Sequence, residues 1–267
     1  MHEEMPDEKE WKNVYIEKSK LYLREFEARE KEGEESAGQL AKYLIENYPE
    51  KKKVLDFPCG NGRISRHLAG KGFEILGMDF SEIFIKDAQN KLKDQARDDK
   101  IEFAIGELSE KSTLKRIESF SPDVILNWWT SFGYSTKEAD RTFFEKLREV
   151  VLPGTILMVE TWHRFPVVDC PIKTRWDELG DLIVLVKNFV EPLKASVKTE
   201  HEYYLKAGGT LTYMDKFTSE IILYDITELI SMFQSCNWTL KSLSNAISYS
   251  GGFDIHRDRV VLVMIAV

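Results

Sequence analysis

The sequence predicts an α/β protein built on a doubly wound, seven-stranded sheet, with an antiparallel β insertion after the fifth strand. Three observations carry that reading. Short apolar runs alternate with helix-period segments from Val54 onward, the pattern of βαβ units that feed a parallel sheet. A glycine-bearing turn, Asp56-Phe57-Pro58-Cys59-Gly60-Asn61-Gly62, joins the first apolar run to a helix. From about Asp181 to Tyr224 the rhythm breaks into β-rich text with a Gly208-Gly209 hairpin turn, before helix and strand return.

The elements follow in order. Residues 1–35 are rich in charge, and Trp11, Tyr15 and Tyr22 fall at spacings of four and seven, on one helical face. Such a helix packs across the domain or covers a ligand. After Gly33 a second helical pattern runs through Leu40, Tyr43, Leu44 and Tyr48 to Pro49. Val54–Phe57 is a short buried strand, and the helix after the glycine turn carries Ile64 and Leu68 and stops near Gly70 and Gly72. Phe73–Asp79 is the second strand, and Ser81 can N-cap the next helix, where Phe84, Ala88, Leu92 and Ala96 recur every four residues. Ile101–Ile105 and Val124–Leu126 are the third and fourth strands. Ser135-Thr136-Lys137-Glu138 reads as a capping box for a helix that turns Phe143, Phe144, Leu147 and Val150 inward. Pro153-Gly154 ends it, and Thr155–Glu160 is the fifth strand. The insertion contains strands at Leu182–Val186, Ser196–Leu205 and Thr210–Leu223. Asp225-Ile226-Thr227-Glu228 then starts a helix, and strands at Trp238–Leu243 and Arg259–Ile265 finish the chain. Without an internal repeat or a low-complexity linker, residues 1–267 read as a single domain, with an N-terminal helical lid over 1–35 and the antiparallel insertion over 164–223.

Composition removes several classes of function. The chain is 43% hydrophobic, enough for a buried core, and its formal charge is −8. Affinity for nucleic acid comes mainly from neutralised phosphates, so this balance disfavours DNA or RNA as a partner. Lys51-Lys52-Lys53 is the compact basic run, and it reads as a solvated loop before a strand. Cys59, Cys170 and Cys236 lie far apart without a Cys-x-x-Cys pair, and no Asp/His cluster has metal-ligand spacing. No apolar run approaches the ~18 residues of a membrane span, and no signal-like segment opens the chain. A cytoplasmic protein with no metal and no membrane association is expected.

In open α/β sheets, ligands bind beyond the carboxyl ends of the strands, so the turn after Asp56 is where a cofactor belongs. Glycines let the backbone approach closely, and the following helix offers free N–H groups. A dinucleotide site calls for Gly-x-Gly-x-x-Gly, but Ser65 occupies the third glycine position. Asp56, four residues ahead of Gly60, repels a pyrophosphate and suits a ligand with a cationic amino-acid end, such as S-adenosylmethionine. Asp79 ends the second strand, where a carboxylate accepts both ribose hydroxyls, and Phe80 beside it can pack on adenine. Glu107 follows the third strand and can accept from an adenine amino group. Three acids behind three consecutive strands are more than loop polarity explains.

Val54-Leu55-Asp56-Phe57-Pro58-Cys59-Gly60-Asn61-Gly62-Arg63, taken with Ile75-Leu76-Gly77-Met78-Asp79-Phe80-Ser81, resembles the first two motifs of class I S-adenosylmethionine-dependent methyltransferases. Asp123-Val124-Ile125-Leu126-Asn127, then Ser131-Phe132-Gly133-Tyr134, resembles the fourth-strand motif of the small-molecule branch, methyltransferase domain types 11 and 25. The insertion, Leu223-Tyr224 before Glu228-Leu229, and Gly251-Gly252-Phe253-Asp254 are similar to that branch as well. The resemblance implies a Rossmann-like sheet with its last strand antiparallel. It also implies S-adenosyl-L-methionine as cofactor, S-adenosyl-L-homocysteine as product, and a small-molecule methyl acceptor. At the cofactor it places Asp56, Pro58, Gly60, Gly62, Arg63, Asp79, Phe80, Glu107, Leu108, Asn127 and Trp128. The family usually has glycine where Pro58 stands; proline removes an N–H and fixes φ, which alters the contacts there.

Methyl transfer from a sulfonium requires an acceptor aligned in line at about 3 Å with water excluded. An alcohol or ammonium acceptor also needs a base. His163, after the fifth strand, is the candidate base, and Tyr134, after the fourth, is a second catalytic candidate that also shapes the pocket. Tyr15, Tyr22, Trp162 and Tyr213 are candidates for the lid or acceptor pocket. Enzymes that methylate nucleic-acid bases carry Asn/Asp-Pro-Pro-aromatic after the fourth strand; this chain has Asn127-Trp128-Trp129-Thr130. The insertion is expected to cap the acceptor site or to join two subunits as a homodimer. Two readings compete with the small-molecule one: an RNA or protein methyltransferase that docks substrate on the insertion, and a non-catalytic S-adenosylmethionine-binding module. An NAD-dependent oxidoreductase is disfavoured by Ser65 and Asp56.

Overall fold

The computed structural model describes residues 8–94, 100–169, 174–247 and 252–267. Three helices come first: α1 (Glu8–Glu17), α2 (Ser19–Ala28) and α3 (Glu30–Asn47). The alternating region follows as β1 (Lys53–Asp56), α4 (Arg63–Ala69), β2 (Glu74–Asp79), α5 (Glu82–Asp94), β3 (Ile101–Ile105), α6 (Lys111–Phe120), β4 (Val124–Asn127), α7 (Lys137–Glu149) and β5 (Ile156–Trp162). The short helix α8 (Arg164–Asp169) leads into β6 (Thr174–Leu179), β7 (Leu182–Glu191), β8 (Ser196–Ala207) and β9 (Thr210–Ile222). The chain then closes with α9 (Ile226–Ser235), β10 (Trp238–Ser244) and β11 (Arg259–Ala266).

Seven strands form the main sheet in the order β10-β11-β5-β4-β1-β2-β3. β1 to β5 pair in parallel, while β11 runs antiparallel to both β5 and β10, as the resemblance implied. Helices cover both faces, which is why the strands read as unbroken apolar runs. Val54, Leu126, Met158 and Val261 pack with Leu40, Leu44 and Leu68 on one side. Their neighbours in sequence, Leu55, Ile125, Leu157 and Leu262, meet Phe144, Leu229 and Phe233 on the other.

Local signals held unevenly. Helix α6 was not expected, because Leu114, Ile117 and Phe120 make only a short apolar stripe. Gly33 lies inside α3 instead of before it. At α7 the N-cap is Thr136, which accepts from the Ala139 N–H at 3.1 Å, and Glu138 turns to Arg141, so no capping box forms. The full box sits at α9: Asp225 accepts from the Glu228 N–H at 2.8 Å, and Glu228 accepts from the Asp225 N–H at 3.1 Å. Ala96, Cys170 and Gly251 of the sequence reading lie outside the described residues.

The insertion is a separate antiparallel sheet in the order β6-β7-β8-β9. β6 escaped notice because its half-exposed residues are mostly polar. The β8–β9 turn places Gly208 and Gly209 at φ 55° and 84°, the left-handed pair that a two-residue hairpin demands. On the inner face Leu182, Val184, Val186, Tyr203 and Phe217 pack with Leu21, Tyr22 and Phe84, so α1 and α2 lie against the inner face of the insertion. A β-bulge interrupts the β8–β9 register: Tyr203 pairs with Asp215, but Tyr204 pairs with Tyr213. A one-residue slip moves later side chains to the opposite face. Tyr213 accordingly points outward, half exposed and edge-on to Tyr204, and is not a pocket residue.

Candidate active site

β1 lies between β2 and β4, at the point where the winding of the sheet reverses, and a crevice opens there beyond the strands' carboxyl ends. It holds a cavity of about 630 Å³, within the roughly 300–1,000 Å³ of small-ligand sites. Asp56, Pro58, Gly60, Arg63, Asp79, Phe80, Glu107, Leu108, Trp128 and Tyr134 line it, joined from the N-terminal helices by Tyr15 and Tyr22.

Two buried carboxylates form its floor. The Ser65 hydroxyl donates to Asp56 Oδ2. Asp79 accepts from the Gly60 N–H at 2.8 Å and from the Ser81 N–H at 2.9 Å, so it ties the glycine turn to the start of α5. Burial raises Asp56 to about 7, although the Ser65 hydroxyl opposes the rise. Burial likewise raises Asp79 to about 6 against the backbone N–H groups of Ser81 and Gly60. Carboxyls held this high favour a cation that enters beside them.

Gly62 stands behind this floor. At φ 72° it caps α4, and a Cβ there would lie 2.3 Å from the Phe103 ring. The second glycine therefore serves packing and does not line the cavity. Asn127 is also set back: fully buried, it donates from Nδ2 to the Phe57 carbonyl at 3.2 Å and holds the β1 and β4 ends together. Arg63 lies between the Phe26 ring at 4.5 Å and the Trp129 ring at 3.8 Å. Its buried NH1 has no hydrogen-bond partner, and burial lowers the guanidinium to about 10.

The third acid is engaged by a residue that the sequence reading missed. Lys12 of α1 reaches Glu107 Oε2 at 2.7 Å, and neighbouring Trp11 stacks on Tyr134 at 5.1 Å and meets Phe80 edge-on at 5.5 Å. Asp140 of α7 was missed too, because nothing marks an acid inside a helix as a cavity residue. It accepts from the Gly133 N–H at 3.0 Å and the Tyr224 hydroxyl at 2.6 Å, and burial raises it to about 6.

After β4 the backbone turns sharply. Trp129 and Thr130 both adopt left-handed φ, 58° and 57°, at a cost of about 1–3 kcal/mol each that the surroundings must hold. Glu160 does so: its carboxylate accepts from the Trp129 N–H at 3.1 Å, its carbonyl from the Thr130 N–H at 2.9 Å, and Arg259 secures the same carboxylate at 3.1 Å. A second cavity of about 170 Å³ adjoins this turn and shares Tyr15, Tyr22, Phe26, Trp129 and Tyr134 with the larger one. Trp162 lines the smaller cavity only. Buried polar atoms without partners cost about 1–3 kcal/mol each, and Thr130, Trp162 and His201, all lining this cavity, carry one apiece.

His163 is not at the site. The β5 pleat directs Glu160 and Trp162 to one side and the next residue to the other, against Phe253. There the ring is buried and its Nε2–H donates to the Arg257 carbonyl at 2.6 Å. Burial lowers its pKa, and neither cavity includes it. Tyr134 does reach the site, and its hydroxyl donates to the Thr130 carbonyl at 2.7 Å.

Comparison with known proteins agrees with this geometry. Residues 54–154 match the methyltransferase domain family. YqeM of Bacillus subtilis (strain 168), which carries a methyltransferase name, is 27% identical over 206 residues, covering 76% of this chain and 79% of that protein. The S-adenosylmethionine-dependent methyltransferase from Clostridium acetobutylicum ATCC 824 superposes with a TM-score of 0.72 at 13% identity, covering 86% of this chain and 90% of that one. CalS10 from Micromonospora echinaspora, an amino pentose methyltransferase solved with S-adenosylmethionine bound, gives a TM-score of 0.68 at 14% identity over 91% of this chain and 96% of its own. The structural likenesses show the shared fold. The family match spans the three acids and the glycine turn, so residues 54–154 carry a methyltransferase domain, and with the shared fold this supports a class I S-adenosylmethionine-dependent enzyme.

Proposed function

We propose that the protein methylates a small-molecule acceptor, with residues 1–35 as a lid and the insertion over 164–223 as the outer wall of the acceptor site. One observation carries this: the cavity beyond the sheet is roofed by Trp11, Tyr15, Tyr22 and Phe26 of the N-terminal helices. Tyr15, Tyr22 and Phe26 are themselves backed by the inner face of the insertion. Such a roofed cavity suits a small molecule better than RNA or a folded protein. Sugar and natural-product methyltransferases such as CalS10, an amino pentose enzyme, share the architecture and support the same class.

The residues fit the cofactor. We assign Asp79 to the ribose hydroxyls, Phe80 and Leu108 to the adenine faces, Glu107 to its amino edge, and Asp56 with Arg63 to the ammonium and carboxylate of the methionine end; all six line the cavity. Bound S-adenosylmethionine supplies an electrophilic methyl on a sulfonium, and the carbon–sulfur electron pair leaves with the sulfur. The chain's own work is to bind, orient and exclude water. Tyr134 and Tyr15, whose rings meet edge-on at 5.6 Å where the two cavities join, are the groups we assign to aligning the acceptor.

Incubation with methyl-labelled S-adenosylmethionine and a cell extract tests the proposal. Label is expected in the low-molecular-weight fraction, and label in RNA or protein would overturn it. The outer face of the insertion exposes Trp176, Phe189, Leu211 and Tyr213. There we place a homodimer contact, checked by sedimentation before and after Trp176→Asp.

A further inference from the structure

We infer that the smaller cavity seats an uncharged, hydroxyl-bearing part of the acceptor, held by Thr130, Trp162 and His201. This rests on the small-molecule reading above. The cavity lies between the carboxyl edge of the main sheet and the inner face of the insertion. Thr130 and Trp162 come from the turn after β4 and the end of β5, and Thr199, His201 and Ser219 come from β8 and β9. The β8–β9 register sets Thr199 opposite Ser219 and His201 opposite Phe217, so alternate residues of both strands form one patch.

Three lining residues, from segments remote in sequence, each keep a buried polar atom without a partner: Thr130 Oγ1, Trp162 Nε1 and His201 Nδ1. The charged groups around them are engaged. Glu25 accepts from Arg29 Nε at 3.3 Å and from the Tyr203 hydroxyl at 2.9 Å. Arg259 donates to Glu160 at 3.1 Å, and Arg175 to Asp177 at 3.2 Å. The polar chemistry left over is neutral. An indole N–H only donates, a threonine hydroxyl does either, and the His201 ring is kept uncharged by burial, which lowers it to about 4.

Such a set matches ring hydroxyls and ether or carbonyl oxygens. It offers little to a phosphate, which wants unengaged cations, or to a quaternary ammonium. His201 is braced in place by stacking on Phe217 at 4.7 Å and 10°. The five residues common to both cavities form the partition between them. An acceptor anchored on the neutral side therefore presents its reactive atom at Tyr15 and Tyr134, toward the cofactor.

The test uses the ¹⁵N-labelled full chain saturated with S-adenosylhomocysteine. It is titrated with neutral methyl pyranosides and cyclitols and, separately, with inorganic phosphate and tetramethylammonium. The Trp162 indole N–H resonance, assigned through Trp162→Phe, is expected to move with the neutral compounds and to ignore both ions. Thr130→Val and His201→Phe should each weaken that response about fivefold, the loss of one hydrogen bond, with S-adenosylhomocysteine affinity unchanged. A response to phosphate or tetramethylammonium in place of the neutral compounds would overturn the assignment. So would a response to S-adenosylhomocysteine with none to the neutral compounds; in both cases the methyltransferase reading survives. Label in RNA or protein in the turnover assay removes the small-acceptor reading and this inference with it.

Discussion

The two sides of the aromatic partition are built on different plans. On the cofactor side, Asp56, Gly60, Gly62 and Asp79 come from two adjacent strand ends within 24 residues of sequence, and their hydrogen bonds are local. On the proposed acceptor side, Tyr15, Thr130, Trp162 and His201 come from four separate segments that only the packing of two sheets brings together. A binding site for one shared cofactor can be written into a short motif. A site for a particular acceptor is assembled from parts that can change independently.

The largest expected effect strikes the local side. Asp79→Ala removes the proposed ribose acceptor, and hydrogen bonds to a charged group are worth about 1.5–3 kcal/mol, so S-adenosylhomocysteine should bind roughly 100-fold more weakly. Calorimetry measures this, and an unchanged affinity would break the comparison at its root. Gly62→Ala should come next, because its Cβ meets the Phe103 ring at 2.3 Å from a φ of 72°. A loss of about 2–3 kcal/mol of stability is expected, a Tm lower by roughly 5–10 °C. A neutral melt would show that the turn is looser than its packing indicates.

The pH response sharpens the same contrast. Asp56 and Asp79 are raised to about 7 and about 6 by burial. Each raised carboxyl stabilises the ligand-free fold when protonated. That contribution is fully present below the ordinary aspartate range, near pH 4, and is lost as pH rises through 6 and 7. Binding of the cationic cofactor runs the other way, since it favours the ionised acids. Affinity for S-adenosylmethionine should rise about tenfold between pH ~5.5 and ~7.5, with protons released. Calorimetry in buffers of different ionisation enthalpy reads both, and a flat profile would remove the acids from cofactor binding. The smallest effect belongs to His163→Phe, which loses one buried hydrogen bond to the Arg257 carbonyl, a cost of about 1 kcal/mol in stability. Cofactor affinity and the pH profile of turnover should not move. A lost basic limb in that profile would return His163 to the chemistry.

How legible each residue was follows from the same division. The strands of the main sheet stood out because both faces are buried, which leaves no polar alternation to confuse them. Asp56, Asp79 and Glu107 stood out because a strand end followed by an acid is a fixed address in such a sheet. His163 was misjudged by one residue of pleat: the side chain after Trp162 faces away from the cavity. Tyr213 was misjudged by one bulge, which no periodicity reveals. Lys12, Asp140 and His201 carried no local signal, since each becomes a cavity residue only through an element remote in sequence.

The sequence by itself determined the strands of the main sheet, the glycine turn, the three acids and the cofactor class they suit. Those features depend on neighbours a few residues away. The tertiary structure alone decided which aromatic residues wall the site, that Lys12 sits on Glu107, and that two cavities meet at Tyr15 and Tyr134. It did so because α1 and α2 are held against the inner face of the insertion. Contacts of that kind depend on pleat, register and bulge across hundreds of residues, where a shift of one position exchanges inside for outside.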